Sequence, residues 1–341
     1  MPELREDATT KEWIAFSAER AQRPSDFREG EPAPPPGGEP AACPFCPGGE
    51  RHGTQELDRL AAPGDPQGWA VRVVANAFPA LAPSEQPRKH LSDGRFVSVT
   101  GLGTHEVVID TPHHDRDLAD RREAEAALWM EALHRRYRAL TARREIVAVA
   151  LFKNHGERAG ASLAHPHTQI IGSPVEPPLL GRRFDVAEKH YRETGGNLYH
   201  EVRDAERQAA RRVLFEADGF VAFQPYASRW PFETWIMPLA PQASFGAVSD
   251  AGLAAAGAAV RRTMALLRTG LGWFDYNLTL QTAPPGEQAE AYFLWHFQVT
   301  PRLVVPGGLE FGSGMWVNAA FPEETAHFLR EAAGQKPPTG R

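Results

Sequence analysis

The chain has 341 residues, 42% hydrophobic and 23% charged, with 37 Lys and Arg against 43 Asp and Glu for a net charge of -6. These proportions exclude a wholly disordered chain, the acidic balance argues against binding bulk nucleic acid, and no apolar run approaches the ~20 residues of a membrane helix. Two cysteines cannot build a disulfide framework and the first residues show no basic-then-apolar signal, so a cytoplasmic protein with no membrane anchor is expected.

The segment 29–49, EGEPAPPPGGEPAACPFCPGG, is a loop, because Pro removes a backbone donor and Gly carries the largest entropy cost. Strands are expected at 70–75 (AVRVVA) and 105–110 (HEVVID). A helix follows with Ala126, Met130, Leu133, Tyr137 and Leu140 on one face, and then strands at 146–152 and 168–172. A polar, Arg-rich helical stretch over 181–210 leads to strands at 220–224 and 233–237. The next helix carries Leu253, Ala256, Val260, Met264 and Leu267 in one stripe, with Ser249 or Asp250 as N-cap and Gly270 as the stop. Strands at 276–281 and 292–299 close the series, and the tail 335–341 is expected to be disordered.

Both halves therefore read strand–strand–helix–strand–strand. Without a regular β–α alternation, an antiparallel α+β sheet with flanking helices is expected rather than a Rossmann fold. The pattern suggests a duplicated unit, divided into 1–180 and 181–341.

The segment 154–169, NHGERAGASLAHPHTQ, carries the densest chemistry. His165 and His167 point to the same side of an extended chain, and Pro166 stiffens the pair. A neutral imidazole is a usable nucleophile, able to attack phosphorus and form a phosphoramidate. Asn154, Ser162 and Gln169 supply uncharged donors for phosphate oxygens, and glycines such as Gly160 allow close backbone approach. Cys43 and Cys46 have the spacing of half a zinc site, but a lone CxxC also fits a redox pair or two unrelated thiols.

The 154–169 segment resembles the active-site stretch of the galactose-1-phosphate uridylyltransferase family, within the histidine-triad superfamily. Its Asn-x-Gly, Gly-x-Ser and His-Pro-His-x-Gln elements stand as Asn154, Gly156, Gly160, Ser162, His165, Pro166, His167 and Gln169. The likeness extends to Arg20–Pro24, to VRVVANAFPAL at 71–81, to Pro231–Thr234 and to GLEFGSG at 308–314. It implies two histidine-triad-like halves, with His167 as nucleophile and Gln169 hydrogen-bonding the transferred phosphoryl group. Hydrolase branches of the superfamily have a His at the Gln169 position. Gln has no titratable proton for a leaving group and suits a transferase that holds its intermediate.

The resemblance further implies nucleotide-phosphate contacts from Arg20 and Arg23, a nucleotide contact from Asn76, and a hexose contact from Glu310. It implies a structural zinc held by Cys43, Cys46, His114 and His165, with His113 as a substitute for His114. The family's second metal uses a Glu and three His. Here the Glu position falls near Arg183 and Phe184, Gln298 replaces one His, and 276–283 contains none, so no second metal is expected.

The implied activity is ping-pong exchange of UMP between UDP-glucose and galactose 1-phosphate through a uridylyl-histidine, by a homodimer. Plant-type proteins with a similar GG(F/L)ExG(T/S)G segment resemble ADP-glucose phosphorylases, which makes adenylate transfer the alternative. A non-enzymatic, zinc-stabilised nucleotide-binding module is the third reading.

Overall fold

A computed structural model describes residues 2–17, 23–28, 43–49, 54–62, 64–83, 89–286 and 289–334. Arg20 and the 335–341 tail lie outside the described residues. In chain order the strands and helices are β1 (Glu3–Glu6), β2 (Trp13–Phe16), β3 (Glu56–Ala62), β4 (Asp65–Ala75), β5 (Lys89–Ser92), β6 (Phe96–Val99), β7 (Thr104–Ile109), α1 (Glu123–Thr141), β8 (Ala148–His155) and β9 (His167–Ser173). The chain continues through α2 (Pro178–Thr194), α3 (Leu198–Ala209), β10 (Val213–Ala217), β11 (Phe220–Phe223), β12 (Thr234–Pro238) and α4 (Asp250–Leu271). It ends with β13 (Tyr276–Gln281), β14 (His296–Pro301), α5 (Gly308–Ser313), β15 (Trp316–Asn318) and α6 (Pro322–Ala332).

Among the described residues ten strands form one sheet in the order β10-β11-β12-β14-β13-β8-β9-β7-β4-β3, and every pairing is antiparallel. The order is symmetric about the β8–β13 seam. Each half contributes five strands, three before its long helix and two after it. Thus each half places one strand more in this sheet than its sequence suggests, β3 in the first and β10 in the second. These two are the sheet's edges.

Side chains alternate across a strand, so the register decides which residues share a face. His167 opposes Ile109 and Gln169 opposes Val107 on β7, while Arg72 and Val74 of β4 oppose the same two β7 residues. The other face carries Val71, Val73, Val108, Leu151 and Ile170 into a core with Trp129, Met130 and Leu133 of α1 and Val260 and Met264 of α4. Both long helices thus cover one face of the sheet. In the second half, α2 and α3 cover the opposite face through Phe184, Ala187 and Tyr199, which pack with Val221, Phe223 and Trp235.

Among the boundaries that differ from the sequence expectation, three have a local cause. The stretch 181–210 is two helices: Gly195 ends α2 with a φ of 76°, and the Asn197 side chain accepts from the N–H groups of Tyr199 and His200 to start α3. Helix α4 starts at the expected Ser249 cap but runs through Gly270, which is buried, and Gly272 provides the C-cap. The strand expected at 292–299 begins at His296: the N–H groups of Tyr292 and Phe293 turn back to Ala289, and that of Trp295 goes to the Gln242 carbonyl rather than to a ladder partner. No helix among the described residues is long and apolar enough to cross a membrane.

Candidate active site

The first half leaves the face opposite α1 open. A pocket of 520 Å³ lies there, floored by Val74, Val107 and Ile109 and walled by Pro44, Phe45, Phe78 and Leu163. Asn76, Ser162, His167 and Gln169 bring polar groups to it.

His167 is 5% exposed. Its Nδ1 lies 2.8 Å from the carbonyl oxygen of His165, an arrangement that fixes the proton on Nδ1 as donor. Nε2 then carries the lone pair, and among the described residues it has no hydrogen-bond partner. Burial lowers the affinity of this ring for a second proton, more than the His165 carbonyl restores it. The ring is thereby held neutral and nucleophilic at Nε2.

The strand that presents His167 is anchored from behind. Thr168 Oγ1 donates to Asp110 at 2.8 Å, Trp129 Nε1 donates to the same carboxylate oxygen at 3.0 Å, and Lys153, fully buried, donates to its other oxygen at 3.0 Å. A buried carboxylate with this many donors is a satisfied anchor rather than a reactive group. Sequence reading passed over Lys153 and Asp110 because each, taken alone, is an ordinary charge in a strand.

The loop before His167 is tied to the other half of the molecule. Gly156 has a φ of 82°, and a Cβ there would overlap the Asp275 carboxylate. That carboxylate accepts from the Arg158 N–H at 2.7 Å, and Asn277 donates to Asn154 Oδ1 at 2.8 Å and to the Ala159 carbonyl at 2.9 Å. Asn154 and Gly160 therefore shape the loop, Gly160 in the left-handed region at the end of a short 3-10 turn. Neither lines the pocket.

Cys43, Cys46, His114 and His165 converge beside the pocket, with ligand atoms all within 4.8 Å of one another. Nδ1 of His165 lies 3.6 Å from Cys43 Sγ and 3.5 Å from Cys46 Sγ, and Nδ1 of His114 lies 3.4 Å from Cys46 Sγ. A tetrahedral zinc with Zn–S near 2.3 Å and Zn–N near 2.05 Å separates S from N by about 3.5 Å, so the donor set fits this ion. His165 Nε2 faces the Thr111 carbonyl oxygen at 2.8 Å, which leaves Nδ1 free to ligate. Burial pushes the His165 ring down to about 4, keeping the neutral form a metal takes. Burial, with Cys43 alongside, pushes the Cys46 thiol up to about 11 in the absence of an ion. His113 is exposed and outside the cluster, so the geometry selects His114.

The remaining expected residues lie elsewhere in the chain. Arg23 is exposed ahead of a 3-10 turn at Pro24–Phe27 and does not line the pocket. Glu310 lines a separate 430 Å³ pocket with Trp230 and Trp316, and its carboxylate accepts from the N–H groups of Gly307 and Val317. The positions weighed for a second metal hold a buried guanidinium: Arg183 Nη2 reaches Gln298 Oε1 at 3.4 Å, and Gln298 Nε2 lies 3.1 Å from His296.

Residues 1–177 match the family described as galactose-1-phosphate uridyl transferase, N-terminal domain. The chain belongs to the galactose-1-phosphate uridylyltransferase family. It is 32% identical to an ADP-glucose phosphorylase of Arabidopsis thaliana over 97% of this chain and 93% of that protein. It is 26% identical to a galactose-1-phosphate uridylyltransferase of Thermotoga maritima over 97% of this chain and 98% of that one. A crystal structure of an Arabidopsis thaliana ADP-glucose phosphorylase with bound ADP-glucose superposes with a TM-score of 0.81 at 31% identity, covering 97% of this chain and 98% of the other. Membership accords with the α+β architecture and with a family nucleotidyltransferase as the class of enzyme.

Proposed function

We propose that this family member transfers a nucleotidyl group from a nucleoside diphosphate hexose to a phosphate-bearing acceptor through a covalent bond to His167. The observation that carries the proposal is the presentation of His167: Nδ1–H held by a carbonyl, Nε2 unpartnered at an open pocket. The Nε2 lone pair attacks the α-phosphorus. The bond from phosphorus to the bridging oxygen breaks, and the hexose phosphate leaves with that electron pair. The resulting nucleotidyl-imidazolium keeps its remaining N–H on the His165 carbonyl, which stabilises the positive charge. An acceptor phosphate oxygen then attacks phosphorus, and the P–N bond electrons return to Nε2.

Gln169 and Ser162 supply neutral donors for the phosphate oxygens, and Asn76 lies at the nucleotide end. Arg20 and Arg23 are proposed for the nucleotide phosphates. Glu310, in a separate pocket of its own chain, would reach the hexose from the second subunit of a proposed homodimer. Zinc on Cys43, Cys46, His114 and His165 would neutralise the thiolates and fix the loop that carries His167. A cytoplasmic home is part of the same proposal.

ADP-glucose, with inorganic phosphate as acceptor, is the donor favoured by the likeness to the plant phosphorylase over nearly the whole chain. Uridylyl exchange between UDP-glucose and galactose 1-phosphate is the second reading, supported by the family match and the Thermotoga maritima relative. The test is incubation with ADP-glucose and, separately, UDP-glucose, followed by intact mass and a His167→Ala control. An adenylyl adduct on the unsubstituted protein alone is the expected result, and a uridylyl adduct alone would establish the second reading. No adduct from either sugar, or equal labelling of the Ala variant, would overturn the mechanism.

A further inference from the structure

His105, on β7, was legible in the sequence only as the first residue of a strand, yet its ring touches two of the polar groups in the pocket. Nδ1 of His105 receives the backbone N–H of Ala80 at 3.1 Å. Nε2 lies 2.8 Å from Oε1 of Gln169 and 3.0 Å from Nδ2 of Asn76. A neutral imidazole can accept at only one nitrogen. A backbone N–H cannot turn round, so Nδ1 is the acceptor and Nε2 carries the proton. Among the described residues that proton has one acceptor within reach, the Gln169 oxygen.

Two consequences follow for the amides. With Oε1 occupied, the Gln169 amide cannot flip without placing its NH₂ against the His105 N–H. Its NH₂ therefore faces the pocket, where among the described residues it has no protein acceptor. Asn76 is fixed in the same sense, because its Oδ1 accepts from the N–H of Phe78 at 2.8 Å. Its NH₂ cannot donate to a protonated Nε2 and lies 3.5 Å from Nδ1, which already receives the closer Ala80 N–H, so it has a hydrogen to offer a ligand. Both amides present donors, and neither presents its oxygen. An anionic phosphoryl group requires this arrangement, which an amide left free to flip would offer only part of the time.

We propose that His105 is a positioning residue that locks Gln169, and with it Asn76, in the donor orientation toward the phosphates of the bound nucleotide. The assignment rests on the nucleotidyl-transfer reading for its consequence, but the orientation itself can be measured without turnover. The ring tautomer is read from the imidazole ¹⁵N shifts of the full-length, metal-loaded protein, with His105→Phe giving the assignment. The Nε2–H tautomer is expected, and the Nδ1–H tautomer would overturn the proposal whatever the enzyme's substrate.

Single-turnover adduct formation supplies the second measurement. His105→Phe keeps the ring's shape but removes both nitrogens, and should slow adduct formation about 10- to 100-fold with a smaller change in donor affinity. His105→Gln, which restores an N–H near the Nε2 position, should recover most of that loss. Gln169→Ala should lose more, and adding His105→Phe to it should cost little further, because the two residues act as a unit. Additive losses, or an equal loss in His105→Gln, would overturn the proposal. A wild-type protein that forms no adduct at all would instead sink the nucleotidyl-transfer reading, while the tautomer measurement would still decide the orientation.

Discussion

The rings of His165 and His167 are two residues apart and do opposite work because their protons sit on different nitrogens. His165 is held at Nε2 by the Thr111 carbonyl and offers Nδ1 to the sulfurs, whereas His167 is held at Nδ1 and offers Nε2 to the pocket. This division was legible in part, since the His-Pro-His spacing and the CxxC are local patterns. The choice of His114 over His113 came from the family resemblance rather than from a local pattern, because it depends on where the turn after β7 points each ring, and the cluster bears it out. One prediction follows at this scale. Purified protein should retain one zinc per chain, Cys46→Ser should lose it, and His113→Ala should keep it, as read by metal analysis after gel filtration. The zinc-free variant should also form the His167 adduct at least tenfold more slowly, since the loop is no longer tied. Full retention of metal by Cys46→Ser would remove Cys46 from the ligand set. His105 and Asn277 escaped sequence reading for a common reason: each acts on a residue more than 60 positions away, and no local pattern marks such a partner.

At the scale of elements, the long helices were readable because each packs a continuous apolar stripe against one sheet face. Within the ten-stranded sheet the two strands that were missed, β3 and β10, are its edges, where one neighbour is absent and the pattern is weaker; the short strands of the two small sheets, β1, β2, β15, β5 and β6, were missed as well. β3 also breaks register three times against β4, which blurs the alternation that identifies a strand. The crossing of α1 and α4 depends on a residue without a side chain. A Cβ on Gly257 would sit 2.7 Å from the Ala126 carbonyl oxygen, closer than packed atoms allow. Gly257→Ala is therefore expected to destabilise the fold by about 1–3 kcal/mol despite the better helix propensity of Ala. Gly308→Ala, where an added Cβ meets nothing within 4 Å, serves as the control and should stay within about 0.5 kcal/mol. Chemical denaturation of both variants measures the difference, and equal stability would show that the helices can separate at no cost.

Across the whole molecule, the symmetric sheet sets the two halves in correspondence and exposes how they have diverged. His296 and Gln298 on β14 occupy the places in the second half that His167 and Gln169 occupy in the first. His296 Nδ1 lies 2.9 Å from the Leu294 carbonyl, as His167 Nδ1 lies 2.8 Å from that of His165. The difference is what covers them. In the second half α2 and α3 close the face, and His296 is fully buried, with Trp235 stacked on it and Tyr199 and Phe293 around it. The same hydrogen-bonded ring is thus a candidate nucleophile where the face is open and a core residue where it is closed. A core histidine carries a pH signature. Burial, with the Arg183 cation adding to it against Asp7, pushes His296 down to about 3. The unfolded chain binds this proton near pH 6.5 and the folded chain resists it. The contribution is therefore fully present above about 6.5 and is lost as pH falls toward 3, with a slope of about 1.4 kcal/mol per pH unit. His134 and His155 are also lowered by burial and steepen the acid limb further. Replacing His296 with Asn, which keeps an N–H for the Leu294 carbonyl but has no titrating ring, should lower stability at pH 7.5 while removing one proton's slope between pH 6.5 and 4. Stability measured by denaturant titration across that range should bring the two curves together on acidification. Curves that stay parallel would mean that His296 takes up its proton without unfolding the second half, and that its closed face is less closed than the packing of α2 and α3 implies.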